Sequence, residues 1–268
     1  MGQNLPGVTQ ETEDVLSRLV LEARQDLMRR RFLLGSEQLE LAVAAYTPKD
    51  FIGALRKPNL AVVAEMKQRT PSMGVLSDEY RPADLAHAYT DGGAAAISVL
   101  THMAGFGGRV DHIRMARAAT QLPILRKDFV TDPYEIAEAR ACGADAVLLI
   151  VAALESQQLR DLVALTRSRG IAALVEVHDE AETAAAIEAG AQVVGVNHRD
   201  LKTFTVDLSL TERLRKLVPK EVVFVAESGV HSAADARRMR EAGADAVLVG
   251  EVLMRSADPA ATIKELSV

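Results

Sequence analysis

The stretch Pro123-Ile-Leu-Arg-Lys-Asp-Phe-Val-Thr-Asp-Pro-Tyr-Glu-Ile-Ala-Glu-Ala-Arg-Ala-Cys-Gly-Ala-Asp-Ala-Val-Leu-Leu-Ile150 holds one complete strand–helix–strand unit. Pro123-Ile-Leu125 is a short apolar run after a turn and reads as a buried strand. Arg126, Lys127 and Asp128 break that run where the strand should end. Pro133–Ala141 has helical periodicity, and Cys142-Gly-Ala-Asp145 then supplies a glycine of the kind that closes helices in the left-handed region. Ala146–Ile150 is a second apolar run. Two strands joined through a helix are parallel, because parallel pairing needs a crossover. Taken alone, the charged triplet is either the mouth of such a sheet or a surface cluster after an edge strand.

The same grammar extends in both directions. Apolar runs occur at Leu60–Ala64, Ala95–Leu100, Pro123–Leu125, Ala146–Ile150, Ala172–Val175, Val193–Val196, Val222–Ala226 and Ala246–Val249. Helical periodicity fills intervals such as Ala83–Asp91, Ser156–Arg169, Asp179–Ala189, Leu208–Leu217 and Ser232–Ala242. The glycine turn recurs as Asp91-Gly-Gly-Ala94, Ala189-Gly-Ala-Gln192 and Ala242-Gly-Ala-Asp245, each ahead of an apolar run. Eight uninterrupted units predict an α/β chain folded as a (β/α)8 TIM barrel. No Gly-x-Gly-x-x-Gly follows any strand, which argues against a dinucleotide-binding sheet. Chemistry in such barrels sits at the strand C-termini, so Lys127 is expected in the mouth.

Residues 1–46 precede the alternation and predict an N-terminal helical extension on a barrel spanning 47–268. A helix is expected from Gln10 to about Leu34, with Val15, Leu16, Leu19, Val20 and Ala23 on one face. Arg29-Arg30-Arg31 falls near its C-terminus, where the dipole favours positive charge. A second helix is expected over Glu37–Ala45. Thr47 reads as an N-cap and Pro48 as N1 of a helix over Lys49–Leu55. The apolar face of the first helix must cover something, and the rim of the mouth is the expected place.

The composition excludes several classes. Of 268 residues, 49% are apolar, enough for a sizeable core filled by Ala, Val and Leu, since tryptophan is absent. A net charge of −6 and a pI near 5.6 argue against a nucleic-acid partner. Cys142 is the single cysteine, which rules out an internal disulfide and suits a reducing, cytoplasmic setting. No apolar stretch approaches the roughly 20 residues of a membrane span, and no signal peptide is legible. Cys142 itself, inside a glycine turn, reads as a packed small residue.

Polar residues gather where the strands stop. Glu65 and Lys67 follow the first run, Lys127 the third, Glu176 the fifth, and Asn197 and Arg199 the sixth. Glu227-Ser228-Gly229 ends the seventh and Gly250-Glu251 the eighth. Lysine and glutamate in a partly dry pocket push each other's pKa values apart, which suits acid–base chemistry. Backbone N–H groups at Gly229, Gly250 and Glu251 lie where barrels hold phosphate. No histidine pair has the spacing of a helical zinc site, so no metal is expected. His178 and His198 fall just past the fifth and sixth strands.

These motifs, in order, are Ala64-Glu-Met-Lys67, Thr70-Pro-Ser72, Phe106-x-Gly108, Leu125-Arg-Lys-Asp-Phe129, Leu174-Val-Glu-Val-His178, Gly195-Val-Asn-x-Arg-Asp-Leu201, Ala226-Glu-Ser-Gly-Val230 and Val249-Gly-Glu251. The set resembles indole-3-glycerol-phosphate synthase from about Phe51 to the C-terminus. The resemblance implies a lyase of tryptophan biosynthesis that converts 1-(2-carboxyphenylamino)-1-deoxyribulose 5-phosphate to indole-3-glycerol phosphate, carbon dioxide and water. It implies no metal or organic cofactor; a monomer or weak homo-oligomer acting on a phosphorylated small molecule, without a nucleic-acid or membrane partner, is expected. It makes Lys127 the general acid of ring closure, with Glu176 and Lys67 in the later acid–base step. Glu65, Asn197 and Ser228 would orient these groups and the substrate hydroxyls. Phe106 and Phe129 would pack on the aromatic ring, and Thr70, Ser72, Arg199 and Glu227 would complete the substrate site.

The sequence departs from the family at Thr70, where serine is usual, at Arg109, which replaces a hydroxyl residue, and at His198 after Asn197. Three other readings stay open on the residues alone. A sugar-phosphate isomerase of the same pathway would not carry the Glu-x-Lys lysine; a paralogue would accept a different aryl ring; a non-catalytic scaffold would have lost Lys127 or Glu176.

Overall fold

A computed structural model of the chain describes residues 15–70, 74–77, 79–200, 203 and 205–268. The barrel strands are β1 (Ala61–Met66), β2 (Ala96–Leu100), β3 (Ile124–Lys127), β4 (Ala146–Ile150), β5 (Ala172–Val177), β6 (Val193–Asn197), β7 (Val223–Glu227) and β8 (Ala246–Val249). Each pairs in parallel with its neighbours in sequence, and β8 closes on β1 with Ala246 opposite Ala61. This is the expected (β/α)8 barrel. Helices Asp111–Ala119, Glu251–Arg255 and Pro259–Leu266 complete the outer layer, and Met103–Phe106 forms a single turn after β2.

Every strand is buried on both faces, which explains the near-continuous apolar runs. The two faces nevertheless bury against different things. Ala61 and Val63, Leu125, Leu148 and Ile150, Leu174, Val193, Val223 and Val225, and Ala246 and Leu248 fill the barrel interior. Val62, Ala64, Val99, Ile124, Val147, Val175, Val194, Phe224 and Val247 pack against the helices. Because side chains alternate along a strand, continuing each interior series toward the C-terminus gives Glu65, Lys127, Glu176, Asn197, Glu227 and Gly250. Parity, not composition, aims these residues at the mouth.

Parity also corrects the reading of Arg126. It shares β3 with Lys127 but faces outward and is fully buried. Its guanidinium meets Asp128 at 3.1 Å and Glu138 at 2.8 Å, and donates to the Glu135 carbonyl at 3.1 Å and to Thr101 Oγ1 at 3.2 Å. The triplet is therefore split, with Lys127 and Asp128 lining the mouth and Arg126 behind it.

The glycine turns have a clear cause. Gly143 and Gly243 adopt φ of 95° and 93°, a region that L side chains avoid. The aspartate that follows closes the base of the sheet. Asp145 accepts Ile124 N–H at 2.7 Å and Asp245 accepts Phe224 N–H at 2.8 Å. Cys142 is buried in the core as expected, with burial pushing its thiol up to about 11.

The helix over Lys49–Leu55 starts later, at Phe51, with Asp50 as its cap on Gly53 N–H at 2.8 Å. Thr47 and Pro48 stay non-helical because the buried Asp145 carboxylate takes both the Tyr46 hydroxyl, at 2.7 Å, and Lys49 N–H, at 2.6 Å. That pulls the chain straight across the point where the cap was expected.

Two helices, α1 (Val15–Leu33) and α2 (Ser36–Ala45), precede the barrel. Leu16, Leu19, Val20 and Ala23 of α1 join the interior cluster at the top of the barrel with Phe129. Further along, Leu27 packs with Leu39, Val43, Tyr134 and Ala137 on the barrel's side. The arginine run does more than complement a dipole. Arg30 pairs with Asp26 and reaches Glu138 at 2.9 Å and Glu135 at 3.6 Å, while Arg31 reaches Asp132 at 3.2 Å and lies over the Tyr134 ring. Arg29 is exposed. No helix among the described residues is long and apolar enough to cross a membrane.

Candidate active site

A cavity of about 170 Å³ opens at the strand C-termini, beneath the N-terminal half of α1. Val15, Leu16 and Leu19 form one wall, and Leu100, Phe106, Phe129, Leu148, Ile150 and Leu248 form the others. The polar residues expected from the strand ends converge on it: Glu65, Lys67, Thr70, Lys127, Glu176, Asn197, Arg199, Glu227, Ser228, Gly229, Gly250 and Glu251 all line it. Ser72 lies outside the described residues. Leu100, Leu148, Ile150, Val230, His231 and Leu248 also line it and were not anticipated. The interior parity of β2, β4 and β8 was the signal that could have placed the leucines and Ile150.

Lys127 is the centre of the polar set. Its Nζ donates to Glu227 Oε2 at 2.9 Å and to Glu176 Oε2 at 3.1 Å. Burial disfavours its charge, but the carboxylates of Glu176, Glu227 and Glu65 outweigh burial and hold its pKa above the ordinary lysine value. The two carboxylates are pushed apart. Burial raises both, but Glu176 is pulled below its ordinary value by Lys127 and His178 and by the Asn197 amide, which donates to its Oε1 at 3.1 Å. Glu227 is pushed up to about 7, by burial first and then by repulsion from Glu176, with Lys127 only partly opposing. An ionised glutamate, a charged lysine and a glutamate that titrates near neutrality thus share one site, the pattern expected of acid–base machinery.

Room for Glu227 comes from Gly195, the interior residue of β6 opposite it. A Cβ there would fall 2.1 Å from Glu227 Oε1 and 3.1 Å from Leu174 Cδ1. On the other side Lys67 pairs with Glu65 at 2.7 Å. Both lean against Gly250, where a Cβ would meet Glu65 Oε1 at 2.6 Å and Lys67 Nζ at 3.0 Å. The loop after β7 turns sharply: Ser228 has φ of 66° and Gly229 of 79°. Ser228 is the only non-glycine among the described residues with positive φ, a strain typical of functional loops. Its hydroxyl donates to Asn197 Oδ1 at 2.8 Å.

The two histidines past β5 and β6 differ. His198 faces outward and is buried; its ring bonds the Ser228 carbonyl at 2.8 Å and Thr211 Oγ1 at 2.7 Å, holding the β7 loop against helix Ser209–Leu214. His178 lies behind Glu176, with Nε2 3.5 Å from Glu176 Oε1 and Nδ1 3.0 Å from Glu182 Oε2. Of the three departures from the family, Arg109 is exposed and does not line the cavity, and Thr70 lines it. Among the described residues no cluster of three or more His, Cys, Asp or Glu could hold a metal ion.

The chain is similar to known proteins over nearly its whole length. The family model described as indole-3-glycerol phosphate synthase matches residues 16–266. A Streptomyces coelicolor protein named indole-3-glycerol phosphate synthase 2 is 60% identical over 94% of this chain and 98% of its own length. A Mycolicibacterium smegmatis indole-3-glycerol phosphate synthase is 47% identical, covering 94% and 93%. Among solved structures, a 3-hexulose-6-phosphate synthase shares the fold at 18% identity with a TM-score of 0.62, covering 78% of this chain and 98% of that one. A thiamine phosphate pyrophosphorylase from Pyrococcus furiosus does so at 19% and 0.59, covering 77% and 93%. The chain belongs to the indole-3-glycerol phosphate synthase family of carboxy-lyases.

Proposed function

We propose that the protein closes the pyrrole ring of 1-(2-carboxyphenylamino)-1-deoxyribulose 5-phosphate, with loss of carbon dioxide and water, to give indole-3-glycerol phosphate for tryptophan synthesis. The observation that carries this reading is the position of Lys127 between Glu176 and Glu227, at the floor of an apolar-walled mouth. Ring closure requires a donor at the ketone oxygen as the aromatic carbon attacks. An ammonium held above its ordinary pKa keeps its proton until negative charge builds on that oxygen, which is the condition a general acid must meet. Loss of the carboxylate then restores the aromatic ring.

Expulsion of hydroxide needs a second acid and a base for the neighbouring carbon. Lys67, paired with Glu65 on the opposite wall, and Glu176, held ionised, suit those roles. Asn197 fixes Glu176 and is itself held by Ser228. Phe106 and Phe129 offer flat apolar surface to the aryl ring, with Arg199 and Thr70 at the rim. The phosphate belongs at Gly229, Gly250 and Glu251, the end of the barrel where phosphate usually sits, and Lys67 adjoins it. Helix α1 acts as a cover: it closes apolar surface over the mouth, and excluding water there strengthens the charge interactions below. The small departures of Thr70 and Arg109 leave the acid–base set intact.

The test is direct. Purified protein is incubated with the carboxyphenylamino-deoxyribulose phosphate in EDTA, and indole fluorescence is followed. Turnover with release of carbon dioxide supports the reading. Isomerisation without carbon dioxide, or no reaction, overturns it.

A further inference from the structure

The proposed reaction has a proton balance that the mouth alone does not meet. The substrate carboxylate leaves as neutral carbon dioxide. The ketone oxygen leaves as water, so it gains two protons, and one proton comes off the carbon beside the nitrogen as the new ring becomes aromatic. Each turnover therefore takes up one proton from solvent. Substrate and α1 cover the mouth while this happens, and the first donor, Lys127, is left as a neutral amine.

Behind the mouth is a group placed to replace that proton. The two oxygens of Glu176 face different ways: Oε2 lies 3.1 Å from Lys127 Nζ, and Oε1 lies 3.5 Å from His178 Nε2. Glu182 fixes the imidazole by accepting His178 N–H at 2.7 Å and bonding Nδ1 at 3.0 Å. With Nδ1 committed to Glu182, Nε2 is left buried, without a hydrogen-bond partner among the described residues, and close to Glu176. Glu176 is nearly inaccessible, whereas the Glu182 side chain is 20% exposed. Glu182 and His178 line a separate crevice that, among the described residues, shares only Leu16 and Asn197 with the mouth. The site is thus connected to water from behind.

We propose that His178 is the residue that recharges Lys127, acting through Glu176. This rests on the functional reading above. When Lys127 gives its proton to the ketone oxygen, Glu176 loses its neighbouring positive charge and becomes a better base. The Nε2–H bond of the imidazolium breaks and an O–H bond forms on Glu176. After a half-turn of the carboxyl group, that O–H bond breaks and an N–H bond forms on Lys127. The imidazole, left neutral, regains its proton from water in the crevice. The net change of this stage is one proton moved from solvent to Lys127, with no electron transfer. In the later stage the proton that Glu176 takes from the carbon beside the nitrogen makes good the one that Lys67 gives to the departing hydroxide, so the whole turnover takes one proton from solvent. Glu176 cannot store this proton itself, because Lys127 and His178 hold it ionised; Glu182 and Glu176 raise the His178 pKa against the effect of burial. The charges that bear on the ring are Glu176 on its own strand, Glu182 and Asp179 at the next helix, and Glu227 across the barrel. His198, Asp200, Asp207 and Arg213 line the same crevice.

The experiment is the pH profile of kcat for the wild type, His178→Asn and Glu182→Gln, with thermal unfolding to confirm that each folds. In the wild type kcat falls as pH rises past the His178 pKa, because the imidazolium is the proton source. His178→Asn should lower kcat by about 10-fold or more, leave KM within about two-fold, and abolish that limb. Glu182→Gln, which keeps the ring's partner but removes its charge, should move the limb to lower pH. A limb unchanged in both variants, or a kcat for His178→Asn within two-fold of wild type, overturns the role of His178 alone. A wild type that does not convert the substrate overturns the functional reading and this inference with it.

Discussion

Gly195 and Glu227 occupy the same space from neighbouring strands: a Cβ on Gly195 would lie 2.1 Å from Glu227 Oε1. The absence of a side chain on β6 is what allows the β7 carboxylate to reach Lys127. Gly195→Ala should push Glu227 off Lys127 and strain Leu174. A drop in kcat of about 10-fold or more is expected, with a stability loss of about 1–3 kcal/mol from overpacking. Steady-state kinetics with a urea titration checks both; unchanged kcat would show that Glu227 acts without this contact.

Lys127→Met removes the proposed proton donor and leaves two buried carboxylates, Glu176 and Glu227, without their ammonium. kcat should fall by about 10²–10⁴ with the substrate still bound. One of the pair, Glu227 by its environment, should then remain protonated to higher pH, which infrared spectra of the carboxyl band would detect. A variant within a few-fold of wild type removes Lys127 from the mechanism.

Glu227 links stability to pH. Its folded pKa of about 7 lies above the ordinary 4.5, so between those values the unfolded chain has lost the proton that the folded protein keeps. The unfolded state binds fewer protons, and stability must fall as pH rises through this window. Below about 4.5 this penalty is absent, and above about 7 it is complete. Glu135, also pushed up to about 7 by burial, adds to the trend. Glu227→Gln should flatten the decline between pH 4.5 and 7 by about 1–3 kcal/mol, measured by denaturant unfolding across the range. A slope identical to wild type would place the Glu227 pKa elsewhere.

Removal of α1 tests the cover. A deletion of residues 1–34 spares Tyr46, whose hydroxyl holds Asp145, so the barrel should remain folded. KM should rise or kcat fall by about 10-fold or more, since water then reaches Lys127 and Glu176. Wild-type kinetics in the truncated protein would reduce α1 to packing.

Much of this was legible because a parallel barrel writes itself into sequence as repeated units, and the strand ends name the site. Lys127, Glu176, Asn197 and Glu227 were readable as the last interior residues of their runs. The faces were harder. Arg126 and Lys127 are adjacent cations, and no local signal tells which one turns inward until the register of β3 is known. The apolar stripe of α1 announced burial with the rim of the mouth as its expected partner; covering a mouth and docking on a side demand the same residues, and α1 does both. Asp145 was quoted only as part of a repeat, since the groups that donate to its carboxylate lie far away in sequence. His178 closed the Leu174-Val-Glu-Val-His178 motif but carried no role there: its relation to Glu176 and Glu182 exists only once strand and helix are folded.

Arg126→Met should be among the most destabilising single changes outside the mouth. It leaves Asp128, Glu135 and Glu138 buried without their guanidinium, a loss of about 3–5 kcal/mol, measurable by urea unfolding. A loss below about 1 kcal/mol would show that Arg30 alone can balance the cluster.

The alternation on β3 bears on how the chain finds its fold. Both faces of this strand offer carboxylates to a cation, Glu176 and Glu227 on one and Glu135 and Glu138 on the other. A slip of one residue would exchange Arg126 and Lys127 and still leave each with an opposite charge. Charge alone therefore does not proofread the strand. Shape does: the outward site engages three guanidinium nitrogens at four separate acceptors, a spread that a single ammonium cannot span. The arginine that never meets the substrate is the residue that rejects the slipped, inactive barrel.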